Sequence, residues 1–223
     1  MGHLSGLIKD SIYKQIHRFR IRSLRSIDPR RTIAEDPFQH VWIDAGAVQL
    51  YLPRWSVGKA DVDTWVVLNG VGRFHTTFSA GLISGGNWSE KALPYGPTPS
   101  LLYDAIKRSV EMGAPIEKSS WVEYCIRQVK SGQAVWNGAR TEKAVAERCV
   151  RANVLLESVL TDGFRDVGRP VCVCVGPQGE FIKSGNGQHR IMIGRALGVS
   201  IPVRILAVHR TWAEGYGYSL WPS

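Results

Sequence analysis

Cysteine is scarce in this chain, and its placement argues against two classes of protein. The 223 residues hold four, Cys125, Cys149, Cys172 and Cys174, too few and too irregularly spaced for a disulfide framework or a zinc pattern. Cys172 and Cys174 stand two apart in the apolar run Val171-Cys172-Val173-Cys174-Val175. A strand puts both on one face, so a pair of small buried residues is the simplest reading. Long apolar runs are missing as well. None approaches the roughly 18 residues of a membrane-spanning helix. Lys9, Lys14 and Arg18 also break the N-terminal apolar segment that a secretory signal keeps uninterrupted. The expected compartment is therefore the cytoplasm. Acidic residues are in deficit, 19 against 28 basic ones, for a net charge of +9.

That deficit is local. Residues 1–32 carry eight basic residues and two acidic ones, a net +6 out of the +9, and leave the rest near neutral. In the same segment Leu4, Ile8, Ile12, Ile16 and Phe19 recur at helical spacing. Three readings of this basic amphipathic helix stand side by side. The stripe packs on the protein's own body, or it lies on an anionic membrane surface and makes the protein membrane-peripheral. Alternatively, its charge attracts nucleic-acid phosphates.

The remaining chain has an ordinary globular composition, 44% apolar and 21% charged. It divides by pattern into a basic segment at 1–35, a β-rich region at 36–115 and a better-patterned region at 116–223. In the middle region Val41–Leu52, Thr64–Leu68 and Phe74–Phe78 are expected strands, and Leu101–Met112 an expected helix. Gly86-Asn87-Trp88-Ser89 reads either as a functional loop or as a turn anchored by its Trp. In the last region Ser119 or Ser120 caps one expected helix and Thr141 another, which Gly163 closes. Val171–Val175 is an apolar strand, Gly176–Gly179 a turn and Glu180–Ile182 the return strand.

The run that follows bears most on function. Gly185-Asn186-Gly187 opens directly into Gln188-His189-Arg190 and a short helix, Gly198 stops that helix, and Ile201-Pro202-Val203 begins a strand. A Gly-rich turn lets backbone N–H groups approach an anion, and a helix N-terminus adds the positive end of its dipole. His189 and Arg190 place further donors there, which suits phosphate. After the last strand, His209 and Arg210 either complete that pocket, with Trp212 stacking on a base, or face water with Trp212 as a lid on the core.

Two segments carry a family resemblance. Leu155-Leu156-Glu157-Ser158-Val159, Gly163 and Pro170-Val171-Cys172-Val173 resemble the first box of ParB-like proteins. Gly187-Gln188-His189-Arg190 with Ala196-Leu197-Gly198 and Ile201-Pro202-Val203 resembles the second. In order and spacing they cover about a third of the chain, and they are similar to the ParB/sulfiredoxin-like superfamily. The whole chain also looks like uncharacterised ParB-domain proteins encoded beside surface-polysaccharide genes, and has a distant likeness to free-serine kinases.

The resemblance implies an α+β fold, a small mixed sheet with packed helices preceded by the β-rich half. It also implies a phosphate site at Ser184, Asn186, Gly187, Gln188, His189 and Arg190, with His209 and Arg210 as further candidates. The implied ligand is a nucleotide (ATP, ADP or CTP) together with Mg2+. The implied activity is nucleotide hydrolysis or phosphoryl transfer to a small-molecule acceptor, with His189 and Glu142 as catalytic candidates and Glu147 as a rival to Glu142. Asn186 and Gln188 depart from the family pattern, since kinase-like relatives carry Asp and partitioning ParB carries Glu at those positions. Sulfiredoxins carry Cys where this chain has Gln188. An amide is a poor metal ligand and no general base. The alternative is a non-catalytic ParB-like module that binds nucleic acid or a protein partner. The lack of a recognisable helix-turn-helix after the second box counts against a partitioning-type DNA binder.

Overall fold

The computed structural model describes the chain apart from residues 1, 34, 64, 96, 137, 166–169 and 219–223, and apart from the side chains of residues 2–9 and 97–99. It has a mixed α+β architecture. Six α-helices accompany a seven-stranded mixed sheet: α1 (Gly2–Ile27), β1 (Val41–Asp44), β2 (Leu50–Tyr51), β3 (Leu82–Ser84), β4 (Leu93–Pro94), α2 (Pro97–Met112), α3 (Ser120–Lys130), α4 (Glu142–Asp162), β5 (Val171–Val175), β6 (Phe181–Lys183), α5 (Gln188–Leu197), β7 (Ser200–His209) and α6 (Arg210–Gly215). The strand order is β1-β7-β5-β6-β2-β4, and β3 joins the far end of β7.

The central pair is β5 and β7, parallel and in register from Val171↔Val203 to Val173↔Ile205, with an irregularity before Val175↔Val208. Every residue of β5 is buried, and alternation divides them between two cores. Val171, Val173 and Val175 face a core built with α2, α3, α4 and α5. Cys172 and Cys174 face a second core with Ile21, Leu52, Phe74, Leu82 and Trp88. Both thiols are free and buried, and burial pushes Cys172 up to about 11 and Cys174 higher still.

Local signals end most helices where the sequence places them. The Thr141 hydroxyl accepts the Ala144 N–H at 3.1 Å and starts α4, and Gly163 at φ 71° ends it. Ser119 caps α3 through the Val122 N–H at 3.4 Å. The β5–β6 hairpin closes with Gly176 N–H donating to the Glu180 carbonyl at 2.9 Å. The short helix after the Gly-rich turn, α5, runs ten residues.

The middle region differs from its sequence pattern. Val41–Leu52 is not one strand, because the Asp44 carboxylate accepts the Gly46 N–H at 2.9 Å and folds Ala45–Ala47 into a 3-10 turn between β1 and β2. Residues 65–68 and Phe74–Phe78 form no ladder beyond an isolated Leu68↔Phe74 bridge. Side chains capture their backbone instead. Asn69 Oδ1 accepts from Val71 and Arg73 at 3.0 and 3.2 Å, and His75 Nδ1 accepts from Thr77 and Phe78 at 3.1 Å. Of the four strands in this region, β1 and β3 pair with β7 and β2 with β6 of the last region, while β4 pairs with β2. Residues on both sides of position 115 therefore share one sheet and both cores.

The N-terminal helix is turned about its axis relative to the self-packing expectation. Ile12, Ile16 and Phe19 of the apolar stripe are 50%, 53% and 74% exposed. The opposite face packs instead, with His17 and Ile21 fully covered. His17 Nε2 bonds the Ala80 carbonyl at 2.8 Å, and Arg20 donates to the carbonyls of Phe78 and Trp65. Leu4 and Ile8 lie outside the described side chains. Ile21→Ala should cost about 2–5 kcal/mol of stability, the range for an aliphatic side chain removed from a core. Phe19→Ser should stay within about 0.5 kcal/mol, and urea unfolding of both variants checks the orientation of α1.

Candidate functional site

The cleft of interest opens where β6 hands over to α5. Its volume is about 770 Å³, and Lys183 and the Gly185–Arg190 turn form its floor. Gly187 makes the turn possible. It sits at φ 114°, and a Cβ there would stand 2.9 Å from the Val171 backbone. No side chain caps α5 at this end, so the first N–H groups of the helix keep their capacity for an anion. Arg195, farther along α5, ties the helix to the turn between β1 and β2 by donating to the carbonyls of Ala45 and Val48.

Distant parts of the chain complete the walls. Tyr51 and Arg54 come from β2 and the loop after it, Tyr95 follows β4, and Trp121 belongs to α3. Trp136 precedes α4, which itself contributes Arg148. Tyr51 reaches Lys183 because β2 and β6 are paired in parallel with those two residues in register. Four full cations line the cleft, Arg54, Arg148, Lys183 and Arg190, and no carboxylate does so among the described residues.

Lys183 is the least ordinary of these groups. It is only 6% exposed, and it has neither an ion pair nor a hydrogen bond among the described residues. Burial first, then the positive charge of Arg73, lowers its pKa to about 8. Two other lining residues carry buried polar atoms without a hydrogen-bond partner among the described residues, Tyr95 Oη and Trp121 Nε1.

His189 is held in one protonation state. The Trp136 indole N–H donates to His189 Nε2 at 2.6 Å, and the two rings stack at 5.5 Å. Indole is only a donor, so Nε2 is an acceptor and the proton sits on Nδ1. Burial, then Lys183 and Arg148, lowers the pKa to about 4. His189 is thus a neutral Nδ1–H donor, and its Nε2 is unavailable as a base. Trp136, which fixes it, adopts φ 39°, a conformation that side chains other than Gly rarely take.

The structure brings Asn186, Gly187, Gln188, His189 and Arg190 together in the cleft wall. It leaves the other candidates outside. Ser184 is fully buried beside Cys174, and its backbone N–H is spent on the Cys172 carbonyl at 2.9 Å. Glu142 is 57% exposed and lies 3.6 Å from Lys130, and Glu147 is exposed; neither lines the cleft.

His209 and Arg210 are placed at the other end of the sheet. Gly187 abuts Val171, which pairs with Val203; His209 lies six residues farther along β7, roughly 20 Å at the rise of a strand. There His209 bonds the Gly86 carbonyl at 3.1 Å, and Arg210 bonds the Asp63 carboxylate at 2.6 Å. Trp212 covers the hairpin turn at Gly179 and stacks on Tyr216 at 3.8 Å. Trp88 is fully buried against Phe74, so Gly86–Ser89 is a turn anchored by its Trp.

Sequence reasoning missed Lys183, Arg54, Arg148, Trp121 and Trp136. Only Lys183 left a local signal, as a charge ending an otherwise apolar strand next to the Gly-rich turn. In comparisons with known proteins, the chain matches no family, no curated protein and no solved structure.

Two buried histidines, one in the cleft and one on α1, give the molecule a pH signature. His189 and His17 are both held neutral, with pKa values below the ordinary 6.5. Their unfolded forms take up protons first as pH falls. The stability they contribute is therefore complete above about 6.5 and is lost on acidification, for His189 over the window from 6.5 to about 4. Nitrogen NMR of His189 should show the Nδ1–H tautomer at pH 7 and no titration near 6.5.

Proposed function

We propose that this protein is a ParB/sulfiredoxin-like nucleotide-phosphate-binding protein whose ligand lies in the cleft above Gly185–Arg190. One observation carries the reading. An uncapped helix N-terminus and a Gly-rich turn meet four full cations in a wall without a carboxylate among the described residues. Such a site repels metal cations and favours a multiply charged anion. The aromatic residues Tyr51, Tyr95, Trp121 and Trp136 supply flat apolar surface for a base or ribose.

Arg190 contributes charge-assisted hydrogen bonds, His189 a neutral Nδ1–H and Gly187 close backbone approach. Phosphoryl transfer also needs a group that takes the acceptor's proton. Glu142 is not at the cleft, and His189 Nε2 is already engaged. The same wall therefore favours nucleotide binding over hydrolysis or transfer to a small acceptor.

Calorimetry with ATP, ADP and CTP tests the proposal. Arg190→Ala should weaken the preferred nucleotide by about 1.5–3 kcal/mol, as expected for a lost charge-assisted hydrogen bond. Glu142→Gln should leave affinity within about twofold. A folded Arg190→Ala protein with unchanged affinity places the phosphates elsewhere, and nucleotide turnover abolished by Glu142→Gln restores the enzyme.

A further inference from the structure

The ligand chemistry can be taken one step further, on the reading of the cleft as a nucleotide-phosphate site. We propose that the cleft takes the polyphosphate of a nucleoside triphosphate as the free anion, without Mg2+. Lys183, Arg54 and Arg148 supply the positive charge that a divalent cation supplies in other nucleotide sites.

Three observations carry this. First, these three cations line one cleft, and none has an ion pair or hydrogen bond among the described residues. Lys183 in particular is 6% exposed, next to the Gly-rich turn. A buried ammonium without a counter-ion is costly, and a bound anion relieves that cost. Second, a protein usually holds Mg2+ through one or two carboxylates together with the substrate's phosphates. The cleft offers the amides Asn186 and Gln188 beside its phosphate turn. Among the described residues no three His, Cys, Asp or Glu side chains gather as a metal site. Third, Mg2+ bound to the polyphosphate cancels two of its negative charges, so the electrostatic attraction to a strongly cationic wall falls. The residues present therefore do not fit a resident Mg2+, and they do fit the charge of the metal-free triphosphate. The aromatic wall, with an unpartnered Trp121 Nε1 and Tyr95 Oη, selects a nucleoside over bare polyphosphate.

The test is calorimetry of the full chain with ATP at fixed ionic strength, in EDTA or in excess MgCl2, with inorganic tripolyphosphate as a second probe. ATP should bind at least about threefold more tightly in EDTA. Tripolyphosphate should bind in EDTA, but more weakly than ATP. Lys183→Met should weaken the EDTA arm by about tenfold or more, and Arg54→Gln, at an exposed position, should weaken it in the same sense. Both should narrow the gap between the two arms. Binding that appears only with Mg2+ overturns the inference, as does a folded Lys183→Met or Arg54→Gln protein whose EDTA arm is unchanged. If neither ATP nor tripolyphosphate binds in either arm, the phosphate reading of the cleft fails and this inference fails with it.

Discussion

The parallel pairing of β5 with β7 is the contact from which the rest of the molecule is hung. It buries both faces of two adjacent strands, which is why Val171–Val175 and most of Ser200–His209 read as nearly continuous apolar runs. The even residues of β5 hold the N-terminal helix and its loops on one side, and the odd ones hold α2 to α5 on the other. Val171, the first residue of the pair, also sets the position of Gly187. The Gly185–Arg190 turn is thus seated directly on the most buried part of the sheet. On the proposed reading, a turn so placed is pre-formed for an anion rather than assembled by it.

Charge in the molecule is managed in two different ways. Around α1 the cations are largely consumed by the fold. Arg18 pairs with Asp36, Arg20 and Arg25 bind backbone carbonyls, and Lys14 pairs with Asp10. In the cleft Arg54, Arg148 and Lys183 are left without protein partners among the described residues. The N-terminal segment holds most of the net charge, yet the cleft holds the charge that has no internal use. The neutral His189, locked by Trp136, fits the same logic, since a protonated imidazole beside Lys183 and Arg148 would add repulsion.

What was legible in the sequence was whatever depends on neighbours along the chain. Thr141 and Gly163 bound α4, Gly176–Gly179 turns the hairpin, and Gly185–Gly187 opens into α5, all through local backbone chemistry. The site's walls were illegible because they arrive by non-local pairing. Tyr51 stands beside Lys183 only because β2 joins β6 in parallel, a pairing no local pattern in Leu50–Tyr51 announces. His209 and Arg210 misled for the complementary reason. They follow the strand after the Gly-rich turn, but ten residues of β7 carry them to the opposite end of the sheet. The apolar stripe of α1 misled because amphipathicity marks an apolar face without saying whether the protein's own body covers it. Here His17 and the arginines make the inward contacts, and Ile16 and Phe19 face out.

The central claim is that one cleft, at the β6–α5 junction, holds the phosphates of a nucleotide. Backbone and indole chemical-shift mapping with a nucleoside triphosphate tests it most directly, because it reads location without assuming activity. The account predicts saturable shifts in the amides of Gly185, Gly187 and Gln188 and in the indole N–H signals of Trp121 and Trp136, with His209 and Arg210 unmoved. Shifts confined to α1, or to the His209–Arg210 end of the sheet, would contradict it.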